Sequence, residues 1–342
     1  MDIGIVMPTH GLLTRDDRDF FLQRIEPENV RAFEFAMFAE KLGFHSLWFS
    51  DHIVMGKDLD TFYPANLSGT KAYPLRPTMF DVIAVMGGLS VVTETIKFAP
   101  SVHIAPYRHP LETAHQFATV DQLSGGRLIF GVGPGWEAQE FAALDANFER
   151  KGAYTEEAVA VYKAAWTDEY IDFDGEFFSI HNVSMDPKPL QKPYPPIVWG
   201  ATTEIGARRG VRCTDGLYTV HLDPYPGTSV WRDVREVARR EGERIGKDLS
   251  SFWYGTFASG LVTNADDELA TRDPRPTLTG TPEQILEELE VFADEGYVHV
   301  TIHPHIRSAT IEEFFEVVQR FGEEVLPEAK KIATRSFDAL PV

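Results

Sequence analysis

The sequence holds one cysteine, Cys213, in 342 residues. A disulfide within the chain and a cysteine-based metal cluster are both excluded. No stretch approaches the ~18 uninterrupted apolar residues of a membrane-spanning helix. The opening residues, MDIGIVMPTHG, lack the basic and long apolar segments of a secretory signal. A soluble, cytoplasmic protein is therefore expected. Positive charge is also scarce: 32 Lys and Arg against 52 Asp and Glu give a formal net charge of -20. Nucleic acid and anionic membranes both need a basic footprint, so neither is expected as a partner. The acidity itself reads as solubility.

Apolar residues make up 43% of the chain, with 24 Phe, 11 Tyr and 6 Trp, enough for a sizeable core and against disorder. The length suits one large α/β domain or two ordinary ones. Short apolar strands are expected at 2–7, 46–50, 96–102, 128–132, 197–200, 216–220, 252–262 and 298–302. Helical patterns lie between them, at 30–42, 81–92, 111–123, 137–166, 205–212, 229–245, from 281 onwards, and at 312–325. Phe173-Asp174-Gly175-Glu176-Phe177 reads as a hairpin, because Asp-Gly between alternating residues is a turn signal.

Eight strands alternating with helices, with no evident linker, predict a single (β/α)8 barrel with insertions over residues 1–342. Long polar loops at 53–77 and 264–279 are candidate lids. In this fold the reactive face lies at the C-terminal ends of the strands. His10, His52, His103, His221, His303 and His305 all fall at such ends. The pair within His303-Pro304-His305 could suggest metal, but no carboxylate-rich set accompanies it, so no metal is expected.

The most informative stretch is Leu128 to Glu140, LIFGVGPGWEAQE. An apolar strand meets glycine at alternate positions, Gly131, Gly133 and Gly135, and an acidic helix opens at once. Glycines so spaced clear one face of the backbone, where a flat or anionic group could lie. The N–H groups of a helix start can meet an oxyanion. The spacing is not the dinucleotide fingerprint, which needs G-x-G-x-x-G in a first βαβ unit. A plain turn is the other reading of such a stretch.

Several motifs together resemble the bacterial luciferase-like superfamily of flavin- and deazaflavin-dependent barrel enzymes. They are LGFHSLWFSDH ending at His52, VTETIKFAPSVHIAPYRHP ending at Pro110, FATVDQLSGGRLIFGVGPGWEAQEFAAL from Phe117, and FGEEVLP from Phe321 to Pro327. The G-x-G-x-G-W form of the fourth-strand motif is most similar to the branch that uses the deazaflavin coenzyme F420.

The resemblance implies roles for particular residues. Asp51 and His52 match an Asp-His pair that lies beside the cofactor, with His52 as the catalytic group that stabilises or protonates substrate. Ser101 and Val102 match a non-prolyl cis peptide whose bulge props the ring from behind. Gly133, Pro134 and Gly135 match backbone along the ring. Gly200, Ala201, Thr202 and Thr203 match the loop on the phosphate side of the cofactor. His10, His103, Trp136 and His221 are expected around the substrate, with Trp136 either a pocket wall or core. Sugar-phosphate dehydrogenases of the superfamily carry a Glu acid where this chain has Trp136, so sugar-phosphate oxidation is not carried over.

The expected function is an F420-dependent oxidoreductase, with hydride transfer between C5 of the deazaflavin and a small organic substrate. One alternative is an FMN-dependent monooxygenase in which reduced flavin reacts with O2. Another is a flavin-binding barrel without catalysis. A separate cofactor reductase or dehydrogenase is an expected partner, and the resemblance implies a homodimer.

Overall fold

The computed structural model describes residues 1–15, 21–57, 77–220, 229–273, 275–304, 308 and 310–337. Parallel strands close into a barrel, each followed by helices, as the alternating pattern predicts. The strands are β1 (Asp2–Val6), β2 (Ser46–Phe49), β3 (Lys97–Pro100, resuming as His103–Ile104), β4 (Phe130–Gly133), β5 (Ile197–Gly200), β6 (Gly216–Val220), β7 (Trp253–Ala258) and β8 (His299–Ile302). Neighbours pair in sequence order, and β8 returns to β1 with Asp2 opposite His299. Between its halves β3 changes pairing. Lys97–Pro100 runs beside β2, with a bridge from Phe98 to Leu128, whereas His103–Ile104 runs beside β4. The Ser101–Val102 peptide at the break is cis, where the motif placed it.

Side chains alternate across each strand. Outward residues such as Leu47, Phe98, Phe130 and Trp199 build the main core against the helices. Inward residues Trp48, Ala99, Ile129, Val198 and Tyr218 form a second cluster inside the barrel. There Trp48 stacks on Tyr218 with centroids 4.2 Å apart and planes 8° apart. The alternating glycines fit this interior. A Cβ on Gly131 would collide with the Pro100 carbonyl oxygen, and one on Gly133 would lie 2.5 Å from Val102 Cγ2.

The DQLSGGR stretch proves to be a staple at the N-terminal end of the barrel. The buried Arg127 guanidinium donates to Thr93 Oγ1 and to the carbonyls of Ser90, Thr93, Ile96 and Ser124. Asp121 accepts from both the backbone and the side chain of Gln191.

Three expected elements differ in extent. The seventh strand stops at Ala258, because the chain turns at Gly260 (φ 118°), where a Cβ would also strike Ile302. Leu261–Val262 then pairs separately with Thr279–Gly280. The helical region 137–166 is two helices, Ala138–Ala143 and Lys151–Thr167, parted near Asp145, whose φ is 55°. Within the second candidate lid, Thr277, Leu278 and Thr279 are buried and the Leu278 amide donates to Glu288, so that end is anchored. Most of the first, 58–76, lies outside the described residues. No helix among the described residues is long and apolar enough to cross a membrane.

Two glycine substitutions test this packing in opposite directions. Gly131→Ala should destabilise the protein by about 1–3 kcal/mol, the usual cost of overpacking. Gly87 lies within the helix Val82–Ser90, where an added Cβ meets nothing within 4 Å. Gly87→Ala should stabilise by about 0.5–1 kcal/mol. Urea unfolding of the two variants beside the parent measures both.

Candidate active site

The site is built at the C-terminal ends of β2, β3 and β4. β2 ends at Phe49, and two residues on the chain delivers Asp51 and His52 to different surroundings. The Asp51 side chain is 1% exposed. It accepts from Arg108 Nη1 at 2.8 Å, Arg108 Nη2 at 2.9 Å and the Ile104 amide at 3.0 Å. His103 Nδ1 lies 3.2 Å from the same carboxylate. Burial works to raise the Asp51 pKa, but the His103 hydrogen bond and the Arg108 fork outweigh it and hold the carboxyl well below its usual range. Burial lowers the pKa of His103 despite Asp51.

His52 turns toward β4 and the short helix that follows it. Its Nδ1 is 2.7 Å from Glu140 Oε2. Glu140, fully buried, also accepts from Tyr107 Oη at 2.8 Å and from the amides of Ile53 and Val54 at 2.6 and 3.1 Å. Burial and the Glu140 carboxylate push the Tyr107 phenol far above its ordinary pKa, so Tyr107 remains a donor. A carboxylate partner fixes the proton on Nδ1, so the lone pair of the neutral His52 ring is on Nε2. Trp136 meets His52 edge to face, with centroids 5.6 Å apart.

Next along the rim, His10 packs edge to face with His303 at 6.2 Å, and its Nδ1 meets the Gly11 carbonyl oxygen at 2.9 Å. Burial first, and the charge of His52 as well, lower the His10 pKa to about 4. At pH 7 this ring is therefore neutral.

The β4 and β5 glycines frame the bulge in β3. Val102 occupies the space beside both Gly133 and Gly200, where added Cβ atoms would lie 2.5 and 2.9 Å from its methyls. The clearing that the glycine spacing suggests is thus filled by Val102. Gly135 has φ 77°, and Pro134 and Trp136 on either side are half-buried. Past β5, Ala201 is buried, Thr202 half-buried and Thr203 exposed. Thr203 Oγ1 accepts from the Gly206 amide at 3.1 Å and caps the helix Glu204–Cys213, whose N-terminus opens at the same end of the barrel.

The structure thus brings His10, His52, Val102 and Trp136 to one rim and moves two expected residues behind it. His103 does not line the mouth. It is fully buried against Phe117 and Phe130 on the helix side of the barrel. The Asp51 carboxylate is buried against Arg108 and the Ile104 amide, so it positions its neighbours and does not open onto the mouth. His221 and His305 lie outside the described residues. Glu140, Tyr107 and Arg108 are the additions. Their signals are faint: a second acid within GWEAQE, and a Tyr-Arg pair just past a strand end.

Comparison with known proteins agrees with this architecture. The family model for luciferase-like monooxygenases matches residues 1–281, and the chain belongs to that family. It is an enzyme, an oxidoreductase of luciferase-like type. The F420-dependent glucose-6-phosphate dehydrogenase of Kineococcus radiotolerans is 25% identical over 333 residues, covering 86% of this chain and 91% of that protein. The FMNH(2)-dependent dimethylsulfone monooxygenase of Pseudomonas putida is 29% identical over 175 residues, covering 50% of this chain and 48% of that protein. The crystal structure of monooxygenase RslO1 from Streptomyces bottropensis superposes with a TM-score of 0.72 at 17% identity, covering 96% of this chain and 99% of that one, and shows the shared fold.

The Asp51–Arg108 pair should be visible in pH-dependent stability. A carboxyl with a depressed folded-state pKa stabilises the fold fully above its unfolded pKa of about 3.9, and loses that contribution as pH falls. Arg108→Gln should cost about 3–5 kcal/mol at pH 7, the range for breaking a buried pair. The gap between variant and parent should narrow below pH ~4, where Asp51 can protonate once its partner is gone. Denaturant unfolding at a series of pH values reads both effects.

Proposed function

We propose that this chain is an F420-dependent oxidoreductase that moves a hydride between C5 of the deazaflavin and a small organic substrate. The observation that carries the chemical reading is His52, held through Nδ1 by Glu140 and faced by Trp136 at the barrel mouth. The choice of F420 rests on the glucose-6-phosphate dehydrogenase relative, whose likeness spans 86% of this chain, and on the G-x-G-x-G-W motif.

The residues present fit such a cofactor. Val102, seated between Gly133 and Gly200, offers an apolar ledge for the back of a flat ring. The backbone of Gly133, Pro134 and Gly135 would follow the ring edge. Thr202 and the helix N-terminus capped by Thr203 supply N–H groups and a hydroxyl toward a phosphate. When bound, the deazaflavin supplies the two-electron hydride chemistry. His52 Nε2 accepts or returns the substrate proton, and Glu140 stabilises the imidazolium form during that exchange. Tyr107 and the amides of Ile53 and Val54 hold Glu140 in place. His10, neutral at pH 7, leaves the mouth without a second competing cation. Trp136 packs edge to face against His52 and stands where the sugar-phosphate dehydrogenases of the superfamily carry an acid, so sugar-phosphate oxidation is not carried over to this chain.

The likeness to the dimethylsulfone monooxygenase supports a second reading, an FMNH2- and O2-dependent monooxygenase served by a separate reductase. Fluorescence titration with F420 and with FMN, each oxidised and reduced, decides between them. The proposal expects F420 to bind at least as tightly as micromolar and FMN much more weakly; the reverse preference would refute it. His52→Gln should lower kcat by about 100- to 10,000-fold, the usual worth of general acid–base catalysis, with cofactor affinity nearly unchanged.

A further inference from the structure

At the end of the barrel opposite His52, Asp2, His45 and His299 come together. One carboxylate oxygen of Asp2 and one ring nitrogen of each histidine lie within 4.8 Å of one another. The barrel closure makes this meeting. Asp2 and His299 are register partners on β1 and β8, and His45 leads directly into β2 on the other side of β1. His45 Nε2 is 3.2 Å from Asp2 Oδ2. Two ligands of a tetrahedral ion with bonds of about 2.0 Å stand about 3.3 Å apart.

The remaining ring nitrogens have the partners that metal-bound imidazoles need. His45 Nδ1 is 3.3 Å from Ser46 Oγ. His299 Nε2 is 3.2 Å from Thr301 Oγ1 and 3.5 Å from Ser46 Oγ. His299 Nδ1, by contrast, has no hydrogen-bond partner, although the residue is fully buried. A ring nitrogen orphaned at that depth needs an explanation. The ring is also held rigidly, with centroids of Trp48 at 5.2 Å and Trp253 at 5.4 Å. Asp2 is more than half exposed, which leaves an entry path.

We propose that Asp2, His45 and His299 bind a divalent transition-metal ion of the Zn²⁺ type at the N-terminal end of the barrel. Two imidazoles and one carboxylate are a zinc-like donor set that leaves a fourth position for solvent. Two nitrogen donors among the three ligands favour ions that bond to imidazole over Mg²⁺ and Ca²⁺, which take oxygen ligands. The bound ion would clamp β8, β1 and β2 where the barrel closes, away from the hydride-transfer site.

The test uses the tag-free full-length protein, stripped with chelator and titrated with Co²⁺. The expected result is one equivalent of a tetrahedral Co²⁺ complex, seen by its visible absorption, displaced by Zn²⁺ and accompanied by a rise in Tm. Asp2→Asn alters an exposed side chain and His45→Gln a half-buried one. Each should weaken binding by more than about 100-fold, beyond what loss of an outer partner does. His181 sits between Asp172 and Asp174 on the exposed hairpin, the obvious place for adventitious binding. His181→Gln should leave the titration unchanged. Absence of the tetrahedral spectrum, binding that survives in either Asp2→Asn or His45→Gln, or binding lost in His181→Gln would overturn the proposal.

Discussion

Two buried carboxylates, Asp51 and Glu140, determine the shape of the barrel mouth. A carboxylate taken out of water costs several kcal/mol unless donors replace its hydration. Asp51 draws them from Arg108 and the Ile104 amide, with the His103 ring close by; Glu140 draws them from His52, Tyr107 and the amides of Ile53 and Val54. These donors come from the ends of β2 and β3 and from the loops that follow. Satisfying both acids at once therefore leaves little freedom in how those segments meet. His52 is a consequence of that meeting. Its orientation is set by Glu140, which lies 88 residues further along the chain.

Much of this was legible in the sequence because the signals are local. A parallel strand buried on both faces is a short apolar run, and the runs beginning at residues 2, 46, 128, 197, 216 and 298 sit close to their strands. The capping box at Thr281 and Gln284 likewise starts a helix where expected. What could not be read is what distant residues do to each other. Gly133 reads as cleared backbone, yet Val102 from another strand fills the space beside it. Asp51 and His52 read as one functional pair, yet adjacent residues face different ways, and only His52 reaches the rim. Glu140 carries no signal of its own in the acidic stretch after Gly135; only the fold buries it against His52. His103 reads as a rim residue because it follows the expected third strand, but the chain resumes as a strand beside β4 and the His103 ring packs on Phe117.

The fold by itself does not choose between hydride transfer and oxygen insertion, since both chemistries are named among proteins that this chain resembles. The choice falls to groups on the rim. A base with a fixed tautomer beside a large aromatic wall suits a substrate that must be held still while one proton and one hydride leave or arrive. The His52 and Glu140 side chains are themselves 6% and 0% exposed, and burial strengthens their interaction by lowering the local dielectric. In the proposed reaction Glu140 would act through His52, to which it is hydrogen-bonded, and Asp51 through Arg108 and the Ile104 backbone that it anchors.

The barrel interior separates this mouth from the polar groups at the other end. Along β2 the inward positions run from Ser46 to Trp48 before the chain reaches Asp51 and His52; along β8 they run from His299 to Thr301, with His303 beyond. The middle layer is aromatic and closely packed, with Trp48 stacked on Tyr218 and lying 5.9 Å from Trp253. Such layers are the packed core of a barrel, not a channel. An ion or proton at His299 would therefore reach His52 only through the strands themselves. Tightening β1, β2 and β8 at their starts constrains the same strands that carry His10, His52 and His303 at their ends. Coupling between the two ends would then be mechanical, through strand spacing, and should show in stability and loop order.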